Sequence, residues 1–460
     1  MIAIEHIDCL YPGVGKPIRD AYILVKESYE GGTIAEIGCG DITRNKDIHR
    51  VINGTGCIAV PGLINTHHHL FQTMTRALAT DHALFGWLDT LFPIWKNLTE
   101  DHIYYAALIG LGELLLSGCT TTSDHLYFVP QGQDAMRFFS ASVEAAKTIG
   151  MRFYLTRGAM TLGENNGGRT PDYLKEDEDD VLTSMQDLVN KFHDPRPGAW
   201  VKVALGPVSV PAASSRLMKE SAILAEQLAV RLHTHAWEVK DEDTWAVNYY
   251  QKTQTDLLEE WGWLSARAWF AHGVHVDAIT MEKLAQAKSG IAHCPSSNMR
   301  LGSGVAPVSQ FLKAHIPVGL GVDGSASNDS SHLQAEMRQA LFLARAVHGV
   351  RDMRIDDVFY MATRGGRDVL NWPAIGELAP GRNADIALFR LDDLEHSGGI
   401  HPLQTLILSA PTKADYVVIG GDVRVDQGRI VTVDLLAAVQ EHRLLAQQLW
   451  RAALHDDCAL

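Results

Sequence analysis

The sequence predicts an α/β protein, a (β/α)8 barrel of the TIM type joined to a small β-sandwich domain formed from both chain ends. Three observations predict it. Both ends of the chain read as short strands, rich in β-branched residues and broken by Gly, Asp and Asn. The middle alternates short apolar runs with longer segments of helical spacing. Eight such runs occur, the count that closes a barrel.

In chain order, residues 21–25 and 34–38 are strands of the first end. The barrel strands are expected at 58–64, 120–123, 152–156, 201–205, 231–234, 269–271, 290–293 and 318–321. Amphipathic stretches such as 135–148 and 217–229 lie between them as helices. The polar, acidic stretch 164–180 reads as a solvated excursion. Residues 384–389, 414–420 and 428–431 return to strand texture, and helical spacing resumes from Asp434. The β domain is thus expected from 1–59 and 378–433, and the catalytic barrel from 60–377. A C-terminal helix over 434–460 packs on the body.

Composition excludes several functions. The 460 residues carry 55 acidic against 40 basic side chains, a net charge of -15 with no run of Lys and Arg. That opposes a broad grip on nucleic acid or an anionic membrane. The six cysteines (Cys9, Cys39, Cys57, Cys119, Cys294 and Cys458) form no CxxC pair, so neither a disulfide scaffold nor a zinc knuckle is expected. The N-terminus lacks the basic start and apolar core of a signal peptide, and no run is long enough to span a membrane. A soluble cytoplasmic protein is expected.

Barrel chemistry gathers at the C-terminal ends of the strands. After the first strand stand His67, His68 and His69. Residues two apart share a face, so His67 and His69 can turn to one metal ion while His68 points elsewhere; a surface histidine cluster is the plainer alternative. The fifth strand ends in His233-Thr234-His235-Ala236-Trp237-Glu238. There His235 could add an imidazole, with Glu238 reaching over the same centre; a half-buried His and a solvated Glu are the alternative. His272 ends the sixth strand, and Asp323, flanked by glycines, ends the eighth. Either alone could be structural, Asp323 as a turn former. Three imidazoles and a carboxylate suit a borderline divalent ion, Zn²⁺ or Fe²⁺, with an open position for water. Asp323 can accept the water's proton, Glu238 can carry a proton to a substrate ring nitrogen, and His272 can orient the attacking oxygen.

With these residues in place, the chain resembles the amidohydrolase superfamily, in its cytosine/guanine deaminase and triazine hydrolase branch. The resemblance covers nearly the whole chain. It rests on PGLINTHHH (61–69), HTHAWE (233–238), AHGVH (271–275), HCPSSNMRLGSG (293–304), GVDGSASND (321–329) and IGELAPGRNADIALF (375–389). It implies that His67, His69, His235 and Asp323 bind one metal, with Glu238 and His272 as proton-transfer and polarising groups. Binuclear relatives use a carboxylated Lys at the end of strand four. Here Lys202 lies near that strand's start, which favours a single ion.

Within the branch, HHHLFQTMTRAL (67–78), FGWLDTLFPIW (85–95), LLLSGCTTTSDH (114–125) and YLTRGAM (154–160) are similar above all to 8-oxoguanine deaminases. The resemblance implies hydrolytic release of ammonia from a planar heterocycle such as 8-oxoguanine. Isoxanthopterin deaminases and hydroxyatrazine-type s-triazine aminohydrolases or chlorohydrolases are the alternatives. Residues 208–212 (VSVPA) depart from a Cys-Ser-Pro-Phe-Ser-like stretch, and Ala236-Trp237 is unusual before the Glu. A catalytically silent metal-binding scaffold is the non-enzyme alternative, opposed by the presence of both Glu238 and His272. Homo-oligomers are common in the family.

Further candidates are substrate-binding. Gln72 and Arg76 follow the first motif, and Arg76 could instead pair with a carboxylate. Trp87 could stack on a flat ring, and His125, Arg157 and Trp237 sit at strand ends. Ser325 and Asn328 could steady Asp323. His293 and Cys294 read as structural or packed groups.

Overall fold

The computed structural model of the chain describes residues 1–28, 31–42 and 47–457. Cys458 and the end of the expected C-terminal helix lie outside the described residues. The chain opens with β1 (Ile2–Leu10), β2 (Ile18–Lys26), β3 (Thr33–Cys39), β4 (Arg50–Asn53) and β5 (Cys57–Pro61). It then enters β6 (Leu63–Asn65), β7 (Cys119–Leu126), β8 (Arg152–Ala159), β9 (Val201–Pro207), β10 (Arg231–Ala236), β11 (Ala268–His272), β12 (Gly290–His293) and β13 (Val318–Leu320). These eight, each parallel to its neighbour, close a barrel. The strands β14 (Ile386–Arg390), β15 (Tyr416–Ile419), β16 (Asp422–Asp426) and β17 (Arg429–Ile430) rejoin the first five.

Both ends therefore build one body. Among the described residues its nine strands form a continuous sheet in the order β17-β16-β15-β14-β5-β1-β2-β3, with β4 beside β1. Period-two alternation divides its faces. Ile2, Ile4, Ala21, Ile23, Val25, Ala59, Ile386, Leu388 and Val418 share one core, so the sheet folds over its own apolar face as a sandwich does. Ile58, Val60, Ala387, Phe389, Val417 and Ile419 on the opposite face join the barrel's core. Arg152 at the start of β8 ties the two bodies together. Its guanidinium makes a buried two-point bond to Asp385, at 2.7 and 3.1 Å.

Two expectations are corrected. The single strand expected at 58–64 is two strands, broken at Gly62, whose N–H donates to the Asp385 carbonyl. The first half pairs with β14 in the sheet and the second enters the barrel. The segment 164–180 is not simply solvated. Leu174, Thr170 and Glu176 are withdrawn from water, and the segment folds back toward the barrel mouth. Nearby, Trp245 Nε1 donates to the Gly167 carbonyl and Tyr249 Oη to that of Asn166.

The C-terminal helix Leu435–Asp457 buries Ala438, Leu445 and Leu449 in the main core. From it His442 reaches Thr73 at 3.1 Å, just beyond the triple-histidine motif. Among the described residues no helix is long and apolar enough to cross a membrane.

Candidate metal centre and cavity

The inward face of the barrel carries the centre. On β10, His233 and His235 turn inward while Leu232 faces the helices. His67 and His69 follow β6, and Asp323 follows β13. His69 Nε2 lies 3.0 Å from His235 Nε2, and Asp323 Oδ1 lies 3.2 Å from His67 Nε2 and 3.3 Å from His69 Nε2. Four ligand atoms about 2.0–2.1 Å from a zinc ion stand about 3.3–3.4 Å apart in a tetrahedron, so this spacing suits an ion.

The tautomers test the fit. His69 Nδ1 meets the His125 carbonyl at 2.6 Å, and His235 Nδ1 meets the Val208 carbonyl at 2.7 Å. A carbonyl only accepts, so each Nδ1 carries the proton and each Nε2 presents a lone pair to the centre. His67 Nε2 is buried and faces the Asp323 carboxylate, itself an acceptor, with no hydrogen-bond donor to it among the described residues. Lone pairs gathered in a dry site need a cation. Burial lowers the pKa of all three imidazoles, that of His69 to about 3, which holds them neutral as ligands.

Asp323 is itself anchored. Gly324 N donates to Oδ1 at 2.7 Å, and Ser327 Oγ to Oδ2 at 3.2 Å. A side chain on Gly324 would collide with Gln72. Ser325 does not reach Asp323; its hydroxyl pairs with Ser331, which also binds His68. Asn328 holds the Val322 carbonyl at 2.7 Å and Glu336 at 2.9 Å.

Glu238 and His272 complete the ring of polar groups. Glu238 Oε2 lies 3.5 Å from His272 Nε2, and His272 Nδ1 lies 3.0 Å from Asn298 Oδ1. Burial, with Asp323 nearby, pushes the Glu238 carboxyl well above its ordinary range. Trp237, His272 and Asp323 have φ of 55°, 76° and 62°, left-handed values that non-glycine residues avoid. Such strain, of about 1–3 kcal/mol per residue, gathers at functional sites.

Above the centre opens a cavity lined by His69, His235, Glu238, His272 and Asp323 at its floor. Phe85, Trp87, Phe92 and Tyr127 supply aromatic wall, and Val208, Pro211 and Ala212 a further apolar wall. Gln72 and Trp87 stand in the wall, with Trp87 Nε1 donating to the Ala326 carbonyl at 2.8 Å.

Three substrate-binding candidates stand elsewhere. His125 lies within the barrel below the cavity, with Nε2 bound to the Gly206 carbonyl at 2.7 Å. Arg157 points outward, as strand alternation requires after the inward Thr156. It pairs with Glu176 at 2.7 Å and Ser184 at 3.0 Å. The left-handed backbone at Trp237 breaks alternation and sends its indole outward to Thr255 and Phe270. Arg76 takes its carboxylate option, in a two-point bond to Glu113 at 2.7 and 3.1 Å. Cys294 is fully buried, and burial pushes its thiol up, as for a packed group. Lys202 donates to the Asp194 carbonyl, away from the centre.

Sequence reasoning missed Tyr127, Phe85, Glu242 and Ser327. Glu242 carried a signal, lying one helical turn after Glu238. It accepts from Glu238 N at 2.8 Å, lines the cavity, and is pushed up to about 7, by burial first and Glu238 second.

Residues 58–428 match the family model described as "Amidohydrolase family". The chain is 43% identical over 394 residues to the 8-oxoguanine deaminase of Pseudomonas aeruginosa, covering 85% of this chain and 87% of that protein. It is 36% identical over 401 residues to the hydroxydechloroatrazine ethylaminohydrolase of Pseudomonas sp. (strain ADP), covering 86% and 82%. Among solved structures, the atrazine chlorohydrolase of Arthrobacter aurescens TC1 complexed with zinc superposes with a TM-score of 0.90. That match is 33% identical and covers 97% of this chain and 100% of that one.

Proposed function

From the premise that the chain belongs to the amidohydrolase family, as a hydrolase of C–N bonds, we propose that it deaminates an oxidised purine, 8-oxoguanine first among candidates. The observation that carries this reading is the convergence of three imidazole lone pairs and Asp323 at the floor of a flat-walled, largely apolar cavity. His67, His69, His235 and Asp323 would hold one divalent ion, zinc first and ferrous iron second. When bound, the ion supplies the Lewis acidity that brings a water molecule's pKa toward neutrality.

The chain's own groups move the protons. Asp323 accepts a proton from the attacking water. His272, whose Nδ1–H is held by Asn298, turns Nε2 toward the cavity and orients that water. Glu238, protonated by virtue of its burial, gives its proton to the ring nitrogen beside the reacting carbon. Oxygen joins that carbon, and its bond to the amino nitrogen breaks as that nitrogen takes the proton Asp323 received and leaves as ammonia; the new hydroxyl returns its remaining proton to the Glu238 carboxylate, which leaves the oxo product and restores the acid. Gln72 can bond the ring's amide edge, and Trp87 bounds its face.

A second reading has one observation in its favour. Val208, Pro211 and Ala212 present an apolar wall that suits an alkylamino substituent on a triazine. Purified protein offered 8-oxoguanine, isoxanthopterin and hydroxylated or chlorinated triazines, with ammonia, alkylamine and chloride measured, separates the readings. Ammonia from 8-oxoguanine at the highest kcat/KM is expected. Alkylamine or chloride at higher kcat/KM overturns the purine assignment. The five described cysteines are free thiols, which supports the cytoplasmic reading.

A further inference from the structure

The three imidazoles of the centre are not held alike. His69 and His235 donate from Nδ1 to backbone carbonyls, partners that no side-chain substitution removes. His67 Nδ1 instead faces a side chain, His233 Nε2, at 2.7 Å. His233 Nδ1 in turn meets the Trp269 carbonyl at 2.9 Å. The carbonyl fixes a proton on His233 Nδ1, which leaves Nε2 of the neutral ring as an acceptor. The short contact then needs the proton on His67 Nδ1, and His67 Nε2 is left with its lone pair toward the centre.

The partner is itself clamped. The His233 and Trp269 rings stack, 4.3 Å apart and 11° from parallel. Trp269 Nε1 also donates to the carbonyl of Thr66, the residue before His67, at 3.1 Å. Strand β11 thus positions His67 twice, through its backbone and through the imidazole of His233. A buried histidine that only filled the barrel would not need this chain of directed bonds.

We propose that His233 is a positioning residue for the metal ligand His67, an imidazole relay that fixes its tautomer and ring orientation. The proposal rests on the metal reading above. Partners of this kind set metal affinity by about 10–100-fold.

The test is a chelator competition for zinc with parent, His233→Asn and His233→Gln, each stripped of metal first. Asn keeps an amide donor toward the Trp269 carbonyl but is too short to accept from His67. Gln places an oxygen near the position of Nε2. Asn is expected to weaken zinc binding by ~10-fold or more, and Gln to recover to within ~3-fold of the parent. Thermal unfolding of the metal-free proteins shows that each is folded, with His233→Leu as the acceptor-free variant if His233→Asn is not. The absorption of the cobalt-loaded proteins should shift in the acceptor-free variant and return in His233→Gln. Equal zinc affinity in all three proteins overturns the relay, and so does equal weakening in both variants. A parent that binds no zinc overturns the metal reading itself and the relay with it.

Discussion

Glu336 shows how much charge chemistry the barrel mouth holds away from water. Its carboxyl accepts from Ser296 Oγ at 2.6 Å and from Asn328, and burial pushes its pKa up to about 7. The unfolded chain would titrate it near about 4.3. Its neutral form is therefore favoured by folding. That stabilisation is complete below the unfolded value, fades as pH climbs, and is gone above about 7. Thermal unfolding from pH 5 to 8 should show the parent losing about 2–3 kcal/mol relative to Glu336→Gln. A constant gap would refute the assignment. For Glu238→Gln the expectation concerns chemistry. Metal content should match the parent, while turnover, followed as ammonia, falls by at least ~10²-fold. The sequence foretold the grouping of His67, His69, His235, Glu238, His272 and Asp323 because strand ends of a barrel face one mouth. It failed at Trp237, where positive φ breaks the alternation, and at Arg157, where the outward position takes a buried ion pair.

At the scale of elements, the helix Lys240–Tyr250 couples the floor of the cavity to its rim. Glu242 near its start binds the Glu238 backbone, and Trp245 and Tyr249, stacked 4.8 Å apart, bond carbonyls of the 163–170 loop. Arg169 of that loop lies over the Phe85 ring at the cavity mouth. Trp245→Ala should leave metal content unchanged, speed amide exchange across 163–170, and raise KM ~3–10-fold, since the loop then samples open positions. An unchanged KM with fast exchange would mean that the loop does not meet substrate. The eight barrel strands were legible as apolar runs between helices. The fold-back of 164–180 was not, because its partners lie on other elements: Arg157 on β8, and the stacked Trp245 and Tyr249 on the helix after β10.

For the whole molecule, the barrel and the folded sheet are joined by an apolar face and by the Arg152–Asp385 bond. Asp385 also accepts from Gly420 N at 2.9 Å, so one carboxylate serves β8 and the β15–β16 turn. Asp385→Asn leaves a buried guanidinium without its counter-charge and should cost about 3–5 kcal/mol in urea unfolding, with metal content at pH 7 intact. A loss under about 1 kcal/mol would show that the bond contributes little. That the two ends of the chain share one sheet could be read from their matching texture. The pairing order could not, because period two gives the faces and not the neighbours.

The most direct test of the central claim is metal removal and return. Parent protein stripped by chelator should release no ammonia from 8-oxoguanine, and one equivalent of zinc per chain should restore release. Undiminished ammonia release from metal-free protein would contradict a catalytic centre built on His67, His69, His235 and Asp323.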